Sequence, residues 1–337
     1  MRGRLVALGA VAVLAVAGTG WYLADARSDL DAQSRRSATA TADGPRAAAI
    51  AAGPHLVFRS TVHDSSYGKV SMVALADPAG PRAVTATSCE RVDATAHRVL
   101  CLAQDRGVTL TYTARVLDAD LHALQPLELN GIASRARLST DGSLAATTAF
   151  VSGHSYASTT FSTQTLVTRV GGASYGDLER FTLRHRGHEI APKDRNIWGV
   201  TFAADDDTFY ATVAWGGRTW LARGSLAHRT LTTIRSDAEC PALSPDGTRV
   251  AYKKRLGLPQ GQWRLVSYDL ATGVETRLAE PRSVDDQLEW LDDATVTYGL
   301  LRADSRQAVT DVWAVPADGS GAPTRLVAGA WSPSVVR

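Results

Sequence analysis

The stretch Cys240-Pro-Ala-Leu-Ser-Pro-Asp-Gly-Thr-Arg-Val-Ala-Tyr252 constrains the fold of this chain more than any other feature, because weaker copies of it recur along the sequence. A short apolar run, a turn carrying Asp and Gly, and a second apolar run read as two antiparallel strands joined by a tight turn. The residues that follow complete a set of four strands. Cys240 to Ser244 is followed by the Pro245-Asp246-Gly247 turn, then Arg249 to Lys254, a loop, Trp263 to Asp269, the Ala271-Thr272-Gly273 turn, and Val274 to Ala279. Such a four-stranded unit cannot bury its own faces and must stack against neighbours of the same kind.

The same frame fits elsewhere. Arg137-Leu-Ser-Thr-Asp-Gly142 precedes Leu144 to Val151, Val200-Thr-Phe-Ala-Ala-Asp205 precedes Thr208 to Val213, Glu289-Trp-Leu-Asp-Asp293 precedes Ala294 to Tyr298, and Arg91-Val-Asp93 precedes Arg98 to Leu102. Ala330-Trp-Ser-Pro-Ser334 resembles a further first strand with no second strand after it. His55 to Thr61, Lys69 to Leu75 and Ala83 to Thr87 read as second, third and fourth strands without a first. The two partial sets complete one another, and joining them leaves no free sheet edge at the seam. The expectation is an all-β chain whose residues 54–337 form a six-bladed β-propeller, closed by pairing of the C-terminal strand with the first blade. The blades are expected at 55–87 with 330–336, 88–131, 132–192, 196–236, 237–280 and 283–328. The third is overlong, so five or seven blades are the alternatives.

The amino terminus bears on location. Arg2 and Arg4 precede an uncharged run from Leu5 to Ala24, followed closely by small residues at Ala24-Asp25-Ala26. A helix of that length crosses a hydrocarbon core of about 30 Å, with Trp21 and Tyr22 placed as interfacial anchors. Ala15-Val16-Ala17 and Ala24-Asp25-Ala26 both suit a signal peptidase, so residues 1–26 are a signal peptide or a retained transmembrane anchor. Either way the rest of the chain is expected outside the cytoplasm, anchored or secreted. Residues 27–53, rich in Ala, Ser, Thr and Arg without apolar period, read as a flexible linker.

The formal net charge of +2 gives no argument for a nucleic-acid partner. Three cysteines are present. In a hairpin of strands 88–93 and 98–103, Cys89 and Cys101 fall symmetrically about Thr95, close enough to bridge, which predicts a disulfide fitting an oxidising compartment. Cys240 is left over and is expected buried in an inner strand.

The Ser-Pro-Asp-Gly turns resemble the Pro-Asp repeat of TolB-like β-propellers, and the resemblance covers residues 55–337. It implies a single-propeller protein of the actinobacterial membrane-anchored or secreted type, without the α/β domain that precedes the propeller of TolB itself. The resemblance implies no common activity.

Several strings carry possible chemistry. Gly172-Ala-Ser-Tyr-Gly176 matches a nucleophile elbow, with Asp177, His185 and His188 downstream, yet an elbow needs a strand feeding a helix in a parallel sheet, and here a turn is expected. Asp205-Asp206-Asp207 and Asp292-Asp293 could hold calcium, but occupy positions where other blades place turn residues. His185, Arg186 and His188 lack further ligands. No metal site, cofactor or catalytic group is expected. The better candidate is the ring of connections leading into the inner strands, which in a propeller surrounds one mouth of the central channel. These carry Glu90, Arg135, Arg195, Asn196, Trp198, Asp237, Glu239, Asp285, Asp286 and Gln287. Mixed charge, amides and an aromatic suit a polar peptide, a glycan or a protein loop, and so a protein, peptide or cell-envelope partner of a monomeric, non-catalytic binding or scaffold module. The alternative is a propeller enzyme, a lyase or glycan hydrolase, marked by a carboxylate or His pair with shifted pKa in the funnel.

Overall fold

The computed structural model describes Ser28 and residues 42–106, 110–151, 162–303 and 308–337. The expected signal or anchor segment, residues 1–26, lies outside them. Among the described residues no helix is long and apolar enough to cross a membrane.

Six sheets form the ring, each antiparallel through its first four strands. From the axis outward, blade 1 runs Ala330–Val336, His55–Ser60, Lys69–Ala74 and Ala83–Ser88. The C-terminal strand is thus its innermost strand, in register with the first strand from His55↔Val336 to Ser60↔Ala330. Blade 2 holds Arg91–Ala94, Arg98–Arg106, Leu110–Asp118 and Ala123–Leu127, and blade 3 holds Ile132–Leu138, Leu144–Val151, Ser162–Arg169 and Ser174–Asp177. Blade 4 begins Asn196–Phe202, Thr208–Trp215, Arg218–Ser225 and Thr230–Ser236. Blade 5 is Glu239–Leu243, Arg249–Lys254, Arg264–Asp269 and Glu275–Arg277; blade 6 is Glu289–Trp290, Thr295–Leu301, Thr310–Pro316 and Thr324–Val327.

The apolar core is divided among the seams. Each of six buried clusters joins one pair of neighbouring blades: Leu100 and Leu102 of blade 2 meet Ala136 and Leu138 of blade 3, and Tyr210 of blade 4 meets Val250 and Tyr252 of blade 5. A middle strand is therefore covered on both faces, which is why His55–Ser60 is buried at every position and reads as a run without clean alternation. Buried polar contacts pin the seams. Trp290 Nε1 donates to Ala242 O at 2.8 Å between blades 6 and 5, and Thr310 Oγ1 to Ala330 O at 2.9 Å between blades 6 and 1.

The Ser-Pro-Asp-Gly turn closes on itself. Ser244 Oγ donates to Asp246 at 2.5 Å and accepts the Arg249 N–H at 2.9 Å, while Asp246 accepts the Thr248 N–H at 3.0 Å. Gly247 sits at φ +71, which a side chain would strain. Ser139, Asp141 and Gly142 repeat the device in blade 3. The motif is a turn-former, and its residues are spent on the turn.

Three expectations need correction. The overlong third blade of 132–192 ends at Asp177; after a short 3₁₀ turn, the hairpin Thr182–His185 and His188–Ile190 joins the outer edge of blade 4, pairing in parallel with Thr230 to Thr232. The added strands extend blade 4 to six and cover its edge. The disulfide between Cys89 and Cys101 forms, with Cα atoms 5.4 Å apart, but the two are not hairpin partners. Cys101 faces Val92, and Cys89 lies in the connection from blade 1. Within the expected linker, Gly44–Ala51 forms a helix. Asp43 caps it by accepting the Arg46 N–H at 3.1 Å, and the Asp43 N–H bonds Val84 O at 2.9 Å, so this part lies against blade 1.

Candidate functional site

Inner strands start on one face of the ring, where the blade-to-blade connections lie, and end on the other, where blades 2 to 6 turn into their second strands. The inner strands differ from ordinary strands in two ways. Gly199, Cys240 and Ser332 occupy matching places in blades 4, 5 and 1 with φ of +66, +52 and +53, and the ladder to the second strand breaks near each. Gly199 is required there, because a Cβ would lie 2.7 Å from the Cα of Cys240.

The second difference is charge. Arg91 and Asp93 of blade 2, and Arg135 and Arg137 of blade 3, sit two residues apart on inner strands. Facing them is the connection 283–288 of blade 6. Asp286, wholly buried, pairs with Arg91 at 2.9 Å and accepts the Gly299 N–H at 2.9 Å. Gln287 Nε2 donates to Ala136 O at 2.7 Å, and Arg137 Nη2 to Leu288 O at 2.7 Å. Asp285 meets Lys253 of blade 5 at 2.7 Å and Arg135 at 3.6 Å. Arg137 bridges Glu289 of blade 6 and Asp93, the latter at 3.5 Å. The channel is crossed by ion pairs from blades 2, 3, 5 and 6.

Desolvation governs these charges. Burial pushes Asp93 up to about 6 against the pull of Arg137, with Glu289 adding to the rise. It raises Asp286 despite Arg91 and Arg135, and it lowers Arg91 to about 10, helped by the Arg135 charge. Asp285 goes the other way: burial works against its charge, but Lys253 and Arg135 hold it below the usual carboxylate range.

The ten expected site residues divide. Arg135, Asp285, Asp286 and Gln287 come together in the channel as part of its crossing. Glu90 lies beside Arg59 at 3.3 Å, and Glu239 accepts the Trp263 indole N–H at 2.9 Å, both partly exposed at the rim. Trp198 is half-buried on the blade 4 inner strand. Three are occupied by backbone. Arg195 donates to Phe181 O at 3.2 Å, Asn196 accepts the Thr163 N–H at 2.8 Å, and Asp237 accepts the N–H groups of Arg255 and Leu256 at 3.1 Å each. Sequence reasoning missed Arg91, Asp93, Arg137, Lys253 and Glu289. The signal was there: charges two apart on strands otherwise apolar point to a common side, and that side is the channel.

The opposite mouth holds an open cavity of about 330 Å³, formed by the ends of all six inner strands. Asp93, Arg137 and Glu289 line it together with Phe202, Tyr210 and Trp290. None of the ten expected residues does.

The other strings resolve into structure. Ser174 opens the outer strand of blade 3, its Oγ donating to Val167 O at 3.2 Å; Asp177 caps Glu179, and His185 Nδ1 meets Thr233 Oγ1 at 2.9 Å, its ring edge-on to the stacked pair Trp215 and Trp220. Asp205 accepts the Thr208 N–H at 2.7 Å, Asp206 the Ser143 hydroxyl at 2.7 Å, and Asp207 the Ala227 N–H at 2.6 Å. Asp292 accepts the Ala294 N–H at 2.8 Å and Asp293 the Asp246 N–H at 2.9 Å. The three carboxylates of 205–207 are thus spent in three directions, and Asp206 and Asp293 tie turns of adjacent blades.

No protein-family model matches the chain, and no curated protein matches it. Among solved structures it is similar to TolB of Acinetobacter baumannii, at 14% identity and a TM-score of 0.58 over 84% of this chain and 67% of that one. It is similar also to a putative TolB of Agrobacterium tumefaciens, at 13% identity and a TM-score of 0.50 over 83% and 90% of the two chains. A puromycin-hydrolyzing peptidase of Mycobacterium tuberculosis matches at 17% identity and a TM-score of 0.49 over 82% of this chain and 44% of that one. The fold is that of the TolB-like six-bladed propellers.

Proposed function

We propose that this chain is an extracytoplasmic binding module without catalysis, whose connection face docks a protein, peptide or other cell-envelope partner. One observation carries the reading. The ion pairs that cross the channel tie up the charged side chains inside it, so recognition falls to the surrounding rim, where Glu90, Glu239, Trp198 and the side chain of Asp285 reach solvent. The Cys89–Cys101 disulfide supports an oxidising compartment. The apolar run of residues 5–24 supports delivery there and, if uncleaved, anchoring; a monomer suits a ring with no open blade edge at its closure.

A second reading has its own support. Asp93 and Glu289, joined by Arg137 on the floor of the turn-face cavity, are a carboxylate pair with one member pushed up to about 6, the mark expected of a propeller lyase or glycan hydrolase. Against it, Asp93 already accepts the Leu138 N–H at 2.7 Å and the Ser334 hydroxyl at 3.1 Å.

The test places a photo-crosslinking amino acid at Glu90 on the connection face or at Thr140 on the turn face and irradiates intact cells. A defined adduct from position 90 and none from 140 is expected. Adducts from 140 alone would overturn the docking face.

A further inference from the structure

Asp285 differs from every other carboxylate in the channel. Its side chain is 64% exposed, while the cations it neutralises, Lys253 and Arg135, are 2% and 10% exposed. Both contacts fall on one oxygen, Oδ1. Arg135 additionally keeps a buried Nε–H with no acceptor among the described residues. Two buried cations are costly without a counter-charge, and theirs is supplied from the solvent side by a connection rather than from within a sheet.

The surrounding charges do not remove the demand. Arg91, Arg135 and Lys253 face Asp285 and Asp286, three cations against two carboxylates, and Asp286 is shared between its ion pair with Arg91 and the nearby Arg135 charge. Glu239 is engaged by the Trp263 indole and Glu90 by Arg59.

We propose that Lys253 and Arg135 form a carboxylate-binding site at the connection-face mouth, self-occupied by Asp285, and that a carboxylate of a peptide partner displaces it. The aromatic surroundings favour a peptide over an acidic sugar. Lys253 Nζ lies 4.3 Å from the Trp263 ring centre and the Arg91 guanidinium 5.1 Å from that of Trp331, so the ring faces turned toward the two cations are engaged by cations rather than offered to a pyranose. An internal carboxylate lowers the apparent affinity for an external one by the fraction of time it stays bound. The inference rests on the connection face being the docking face.

Acetate, a tri-glutamate peptide and glucuronate are titrated calorimetrically, at fixed ionic strength, into the wild type, Asp285→Ala and Asp285→Ala/Lys253→Met. Removing the competitor is expected to tighten acetate and tri-glutamate binding about tenfold or more, and adding Lys253→Met to abolish the gain. The unfolding temperature of Asp285→Ala should rise with acetate and not with equal chloride. Should Asp285→Ala fail to fold, Asp285→Asn removes the charge and keeps the shape, with the same tightening expected. Equal binding by wild type and variant, no binding by either, or preference for glucuronate overturns the proposal. Carboxylate binding without crosslinks from position 90 removes the docking reading alone, and crosslinks without carboxylate binding remove this site alone.

Discussion

Ser334 and Asp93, 241 residues apart in sequence, share a hydrogen bond of 3.1 Å inside the channel. The same Ser334 hydroxyl accepts the Ala94 N–H at 2.8 Å, so the closing strand is fastened to blade 2 as well as to its own sheet. Ser334→Ala leaves the buried Ala94 N–H without an acceptor. A loss of about 1–3 kcal/mol is expected, read from the urea midpoint.

Arg137 is the shared counter-charge of Asp93 and Glu289. Arg137→Met should cost about 3–5 kcal/mol, because it strands two carboxylates in the channel. Asp93→Asn in that background should recover part of the loss. A double-mutant cycle in urea measures both, and strictly additive effects would contradict the coupling.

The disulfide closes a loop spanning 12 positions. Reduction, or Cys89→Ser with Cys101→Ser, should cost about 3 kcal/mol on the chain-entropy estimate. In denaturant the chain should titrate one thiol before reduction and three after. The single thiol is Cys240, buried and outside any disulfide.

Glu179 supplies a pH dependence of definite sign. Burial, with the nearby Asp177 charge, pushes it up to about 7 from 4.5, against Arg195. The folded state therefore holds this proton more tightly than the unfolded one, and the stabilisation present below about pH 4.5 is lost as pH rises through 7. Glu179→Gln should flatten the fall in stability between pH 5 and pH 8, measured by urea unfolding at each.

What the residues revealed in advance follows from what each kind of information can encode. The turns after the inner strands repeat an Asp because each must satisfy a similar local geometry, with Asp-Gly in blades 3 and 5 and a weaker Asp-bearing copy of the frame in blades 2, 4 and 6, so the inner strands and the closure of Ala330–Val336 onto His55–Ser60 could be located from them. The hairpin at 182–190 could not, because its parallel pairing with Thr230 to Thr232 depends on a partner nearly fifty residues away and on no local turn. Cys89 and Cys101 were paired correctly from the wrong register; the hairpin turns between Ala94 and Val99, and the bridge comes from the connection before it. The site was legible as a face and not as a set of contacts. Asp285 and Asp286 are adjacent in sequence and identical in type, yet one lies mostly in solvent against Lys253 and the other is buried against Arg91, a difference that only the contacts across the axis reveal.

The pairing of His55 with Val336 places the two ends of the ring about 4.5–5.5 Å apart, as any directly opposed antiparallel residues are. The ring thus has no intrinsic starting blade. A short linker from Arg337 to Pro54, with the chain opened between Gly216 and Gly217 in blade 4, would give a circular permutant with the same six sheets. Its strand 208–215 would then end the chain, and the closure would be made inside blade 4 by the Thr208–Trp215 and Arg218–Ser225 pairing, with the present join turned into an ordinary hairpin.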